Sequence, residues 1–182
     1  MTKTHPIETM HNHQCLSLSI MGTQISYLTA FILIHTAVLS AGDWAVYRGP
    51  NHNCVSDERG LKLTGWPEEG PPILWRQSLH EGFGGAAIMG DEAFIIDRET
   101  GVADKLICLD LETGNEKWHY KHDFEGKLPH HGSRGVPLIE ENAVYFNGGF
   151  GHVYRINRHT HKLDWMIDIQ KTYRSEPPKW GW

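Results

Sequence analysis

A chain of 182 residues can hold one domain with a sizeable core, because 40% of it is apolar. Its 19 Gly, 9 Pro and 7 Trp favour many short strands joined by tight turns over a helical bundle. With 17 bases against 22 acids the net charge is −5, and no basic patch marks a nucleic-acid binder. Cys15, Cys54 and Cys108 are too few for a disulfide framework and lack metal-site spacing.

The first element is apolar. Ile25 to Leu39 is a run of about 15 largely apolar residues, followed by the small residues Ser40, Ala41 and Gly42. That length suits a signal-peptide core better than a membrane span of about 20 residues. Residues 1–42 are therefore expected to be a signal peptide, cleaved after Ser40 or Gly42, or else an uncleaved N-terminal anchor. A buried core segment is the third alternative. Met21 is an alternative start that would make the first 20 residues a gene-model extension.

Beyond residue 43 the chain repeats itself. Leu106 to Trp118 aligns with Val153 to Trp165 at an offset of 47, pairing Asp110 with Asn157, Thr113 with Thr160 and Trp118 with Trp165. Upstream, Ala87–Ile96 aligns with Pro137–Phe146 at an offset of 50, and a longer connection from Asp97 to Lys105 absorbs the difference. A period of 47–50 residues built from short β-rich runs predicts propeller blades of four strands. The expected strands are 86–89, 93–97, 105–110 and 116–120 in the first copy. In the second they are 136–139, 143–147, 152–157 and 163–167. At the turn before each outer strand, Asp110 or Asn157 can bond nearby backbone N–H groups. Gly114 can supply a positive φ there, and His161 stands at the same place in the second copy.

The string Cys108-Leu-Asp-Leu-Glu-Thr-Gly-Asn-Glu-Lys-Trp118 resembles the tryptophan-docking motif AxDxxTGxxxW of quinoprotein dehydrogenase propellers, with Cys108 in place of the alanine. Asp43 to Asn51, Gly65-Trp-Pro67 and Pro72-Ile-Leu-Trp75 are similar to the entry segment of bacterial pyrroloquinoline-quinone-like (PQQ-like) repeat proteins. Gly132 to Pro137 and Gly148 to His152 fit the same group. The resemblance spans residues 43–182. It implies an all-β fold: about two antiparallel blades of an incomplete β-propeller behind the N-terminal segment. It also implies that Asp110, Thr113, Gly114, Trp118, Asn157, Thr160 and Trp165 form the motif that docks one blade on the next.

The domain organisation expected is an entry segment at 43–72, blade one at 73–122, blade two at 123–170, and the start of a truncated third blade at 171–182. No catalytic or metal-binding residue is assigned. An acid such as Asp104 or Asp123 could serve as a base, but nothing in the sequence singles one out. The chain has neither an adjacent-cysteine pair nor a haem-attachment motif. The close histidine pairs His119/His122, His130/His131 and His159/His161 read as solvated loop residues, and His152 as a turn stabiliser. Arg134 is the cofactor-binding candidate: by resemblance it faces the central channel, where a guanidinium could hold an anionic group bidentately. The alternative is a structural Arg pairing with an acid or carbonyl in the neighbouring blade. Cys54 and Cys108 could bridge after export, or Cys108 is a small buried hydrophobe.

Two functions remain open. The first is an exported binding or scaffold propeller, periplasmic or extracellular, with other cell-envelope proteins or a small ligand as partners. In that reading it contacts a membrane only through an uncleaved N-terminus. The alternative is the front of a PQQ-dependent, polyvinyl-alcohol-dehydrogenase-like oxidoreductase whose catalytic residues lie on further blades. The resemblance implies PQQ and Ca²⁺ for the full-length family; neither is expected to bind this stretch.

Overall fold

Alternating apolar residues around short polar turns become hairpins, and the hairpins assemble into two separate four-stranded sheets. A computed structural model describes residues 42–60 and 64–182. The N-terminal segment read as a signal or anchor therefore lies outside the described residues, apart from Gly42. Among the described residues no helix is long and apolar enough to cross a membrane.

The first sheet contains β1 (Ala87–Met89), β2 (Glu92–Glu99), β3 (Ala103–Asp110) and β4 (Glu116–Asp123). The second contains β5 (Leu138–Ile139), β6 (Ala143–Asn147), β7 (His152–Asn157) and β8 (Leu163–Asp168). Each sheet is an antiparallel meander in sequence order, β1-β2-β3-β4 and β5-β6-β7-β8. The fold is all-β, with two blade-like sheets, as the repeat predicts. One five-residue helix, α1 (Ile169–Tyr173), follows β8. Asp168 caps it by accepting from the Lys171 N–H at 3.0 Å, and Arg174 ends it in the left-handed region at φ 51°.

Two details differ from the sequence reading. The stretch 97–105 is mostly strand: β2 runs on to Glu99 and β3 starts at Ala103 around a three-residue turn, pairing Asp97 with Lys105, Arg98 with Asp104 and Glu99 with Ala103. The register also corrects the offset of the inner strands. Phe94 faces Cys108 in one sheet and Tyr145 faces Arg155 in the other, so the β2 and β6 positions lie 51 residues apart, not 50. A slip of one residue reverses the faces of a strand. It places Val144 and Phe146 against the first sheet and turns Tyr145 outward, beside Arg155 and Trp165.

The two sheets pack face to face. Phe94, Ile96, Leu106, Cys108 and Trp118 of the first meet Ile139, Val144, Phe146, Tyr154 and Ile156 of the second in one apolar layer. Both outer hairpins carry a bulge at the same place, between Cys108 and Leu109 and between Arg155 and Ile156. Each lies beside the outer-strand tryptophan, where a bulge can re-aim a side chain. The entry segment stitches the sheets together along their inner edge. Trp44 exchanges two backbone hydrogen bonds with Ile88, and the Ala45 carbonyl accepts from Ile139 N–H at 2.8 Å.

Candidate functional site

The sequence motif before each outer strand builds a tight turn. In the first sheet Asp110 Oδ1 accepts from the Thr113 N–H at 2.8 Å and the Thr113 hydroxyl at 2.7 Å. In the second, Asn157 Oδ1 accepts from the N–H groups of His159 at 3.0 Å and Thr160 at 2.9 Å. An amide oxygen replaces the carboxylate, and the turn closes in the same way. The Gly114 N–H donates to the Asp110 carbonyl, and the His161 N–H to the Asn157 carbonyl, both at 2.8 Å. Gly114 has φ 72° and His161 has φ 59°.

Each of these turns receives an indole ring. Trp75 lies over Gly114 and donates its Nε1–H to the Leu111 carbonyl at 2.9 Å. One sheet further on, Trp118 crosses the inter-sheet layer and stacks on His161, with ring centroids 4.6 Å apart and an interplanar angle of 11°. Phe94 packs edge-on against Trp118 at 5.7 Å. Trp165 stands at the next position outward, 40% exposed, with Tyr145 beside it. The Trp75 contact has a consequence for Gly114. A Cβ on Gly114 would sit 2.5 Å from the Trp75 ring, in addition to the strain of its positive φ. Gly114→Ala is expected to lose about 2–4 kcal/mol in urea melts, combining overpacking with left-handed backbone cost. Gly90→Ala, at φ 62° with open space around it, should lose only about 1 kcal/mol. Equal losses would remove the Trp75 contact as the cause.

A second contact locks the sheets at the same end. Arg158, in the turn after β7, donates through Nε and Nη2 to Glu92 Oε2 of β2, each at 2.9 Å. Its guanidinium also lies 5.9 Å from the centre of the Phe94 ring.

Arg134 lies four residues before β5, on the inner rim. It donates through Nη1 to the Gly132 carbonyl at 2.9 Å and through Nη2 to the His130 carbonyl. Both acceptors belong to its own loop. Burial and the neighbouring Arg98 charge lower its pKa from the usual value. Along the same rim, segments 82–84 and 132–135 pass with their backbones nearly touching. A Cβ on Gly84 would collide with the Gly135 carbonyl, and one on Gly132 with the Glu81 carbonyl. That close approach explains Gly84 and Gly132.

The other candidates fall in varied surroundings. Asp104 is 1% exposed and bonded to Arg98 at 2.7 Å, whereas Asp123 is exposed beside Lys121. His119 bonds to Glu116, and His159 to Asn142 at 2.9 Å. His130 stacks on Trp180 at 3.9 Å. His152 is buried in the inter-sheet layer, as a strand residue. No cluster of three or more His, Cys, Asp or Glu side chains suited to a metal ion occurs among the described residues. Cys54 and Cys108 are both free thiols, exposed and buried respectively. Burial pushes the Cys108 thiol up to about 12, so it is a packing residue and not a nucleophile.

Two further charged pairs were not legible as such in the sequence. One is Arg98 with Asp104, inside the inter-sheet layer. The other is His80 with Asp97: Asp97 accepts the His80 N–H at 3.0 Å and lies 2.8 Å from Nδ1. The Asp97 hydrogen bond raises the His80 pKa above its ordinary value. His80 and Asp97 line a cleft of about 230 Å³ with Glu99, Lys105, His119 and Lys121. The two lysines of this cleft are already paired, Lys105 with Glu116 and Lys121 with Asp123.

Comparison with known proteins follows this geometry. Residues 37–177 match the PQQ-like repeat family model described as "Outer membrane protein assembly factor BamB". Among solved structures the chain is similar to BamB from Moraxella catarrhalis, with 23% identity and a TM-score of 0.33, over 45% of this chain and 22% of that one. It is also similar to a europium-containing methanol dehydrogenase, with 23% identity and a TM-score of 0.32, over 46% of this chain and 14% of that one. The chain thus spans less than a quarter of the length of either structure. The search of curated proteins gave no match. With the family model matched across most of its length and two repeated four-stranded antiparallel sheets in its fold, this chain belongs to the PQQ-like repeat family of β-propellers.

Proposed function

We propose that the chain serves as a binding or scaffold module for other proteins of the cell envelope, without redox chemistry of its own. The observation that carries this reading is the state of Arg134. As the one cation singled out for an anionic cofactor, it already spends two guanidinium N–H donors on carbonyls of its own loop. These bonds, each worth about 1.5–3 kcal/mol net, fix the guanidinium against its own loop and leave three of its five N–H donors for any anion. Arg134 is thus a clamp that shapes the inner rim. The family description, an outer-membrane assembly factor, supports protein partners in the envelope. Export itself rests on the apolar run before residue 42.

The outward face of the second sheet suits a protein partner. Trp165 and Ile167 are exposed there, and Tyr145 and Arg155 share the face. The competing reading is the front of a quinone-dependent oxidoreductase. Calorimetric titration of the chain with PQQ, in the presence of Ca²⁺, separates the two. No heat of binding is expected up to roughly 100 μM ligand, a weaker affinity than about −5.5 kcal/mol. Micromolar binding that Arg134→Ala abolishes would overturn the scaffold reading and restore Arg134 as a cofactor ligand.

A further inference from the structure

The inter-sheet layer has two chemically different halves. Towards the β3–β4 turn it is apolar, with Phe94, Cys108, Trp118, Val144 and Ile156 in contact. Towards the opposite end it becomes polar. There Arg98 of β2 bonds to Asp104 of β3, and its Nη2 donates to the carbonyls of Phe124 at 3.2 Å and Gly126 at 3.1 Å. The guanidinium also lies 4.7 Å from the centre of the Phe150 ring, in the loop between β6 and β7. His122 of β4 meets the Tyr154 hydroxyl of β7 at 2.5 Å through Nδ1. His152 of β7 sits 5.1 Å from the His122 ring and 4.4 Å from the Phe124 ring.

Asp104 Oδ2 and His152 Nδ1, both in this half, are buried without a hydrogen-bond partner. The other nitrogen of His152, Nε2, is 3.8 Å from Asp168 of β8, too far for a hydrogen bond. A neutral imidazole tolerates this setting; an imidazolium, which must donate from both nitrogens, does not. We propose that the polar half is an acid-released latch, in which protonation of His152 frees the β6–β7 loop and the start of β7 from β4 while the apolar half keeps the sheets paired.

The charges around His152 decide the direction. Burial is the largest influence and opposes its protonation; His122 from β4 and Arg98 from β2 act in the same sense. Asp168 from β8 and Asp104 from β3 act the other way. Asp104 is already engaged by Arg98, and Asp168 is a third exposed and screened by solvent. Tyr154, the neighbour on its own strand, stays neutral because burial raises its pKa. Arg134 lies beyond Gly149, adding positive charge on the loop side. The net effect holds the His152 pKa below its ordinary 6.5. Its neutral form therefore contributes stability that is complete above 6.5 and is lost as the pH falls below that value.

Amide hydrogen exchange on the full chain at about pH 7.5 and about pH 5, corrected for intrinsic rates, tests the latch. Segments 122–126 and 148–154 should exchange roughly tenfold faster at the lower pH, while segments 92–96 and 143–146 change less than about twofold. Uniform acceleration, or none, would overturn the proposal. His152→Gln, which cannot gain a proton, should reduce the response to less than about twofold, whereas His80→Gln should keep it. Should His152→Gln not fold, the ring resonances of His152 in the unaltered chain provide the second measurement. They should titrate below 6.5 and within about one pH unit of the exchange transition. Titration above 6.5, or a transition displaced by more, rules the latch out.

Discussion

Trp118→Ala is expected to destabilise the chain by about 3–5 kcal/mol, the usual cost of deleting a buried aromatic side chain. Trp165→Ala should cost about 1 kcal/mol or less. The asymmetry is notable because the two residues occupy the same place in the repeat. Trp118 is 9% exposed, held between the Phe94 edge and the His161 ring, so its removal opens a cavity between the sheets. Trp165 is exposed on the outward face, and water already covers part of its ring. Urea melts of the two variants decide the matter. Equal, small losses would mean that the stack on His161 adds nothing to the union of the sheets. A larger loss at Trp165 would mean that docking runs the other way.

The second large effect belongs to the buried ion pair. Asp104→Ala should cost about 3–5 kcal/mol, because it leaves the Arg98 guanidinium in the interior without its counter-charge. The reason is desolvation and not the strength of the pair. Replacing both members, as Arg98→Met with Asp104→Leu, should therefore recover most of the loss, to within about 1–2 kcal/mol of the unaltered chain. A double-mutant cycle from thermal or urea melts measures this directly. If Asp104→Ala costs under about 1 kcal/mol, the carbonyls of Phe124 and Gly126 suffice to hold Arg98 and the pair is dispensable.

These two effects lie at opposite ends of one interface and should be nearly additive, since they share no partner. Acid should separate them further. His152 sits at the Arg98 end, so the polar half weakens below the ordinary histidine range. His80 runs with the opposite sign. Its raised pKa gives stability that is complete below 6.5 and lost as the pH rises through the raised value. It lies half exposed on the far side of the first sheet, so its influence is screened and small.

Much of the architecture was legible in the sequence, for a physical reason. Strand pairs with short polar turns, and a turn needing Asp or Asn followed by a residue that tolerates positive φ, are local demands that a linear pattern records. Asp110, Thr113 and Gly114 write the turn in the first copy. Asn157, Thr160 and His161 write it again with altered chemistry, because the backbone asks only for an acceptor and a left-handed residue. What the tertiary structure alone decided was pairing and facing. The extra residues at 97–105 could have been a loop or a longer hairpin. Most of them became strand because Arg98 and Asp104 could satisfy each other between the sheets. The alignment of Ala87–Ile96 with Pro137–Phe146 at an offset of 50 was wrong by one residue, a slip that short apolar runs allow. Backbone pairing of Tyr145 with Arg155 resolved it and set which residues face inward. The burial of His152, the capture of Arg134 by its own loop and the bulges beside Trp118 and Trp165 depend on distances between segments far apart in the chain. No one-dimensional pattern carries those distances. The local turns are therefore written in the residues themselves, while the contacts that unite the sheets exist only once the sheets have met.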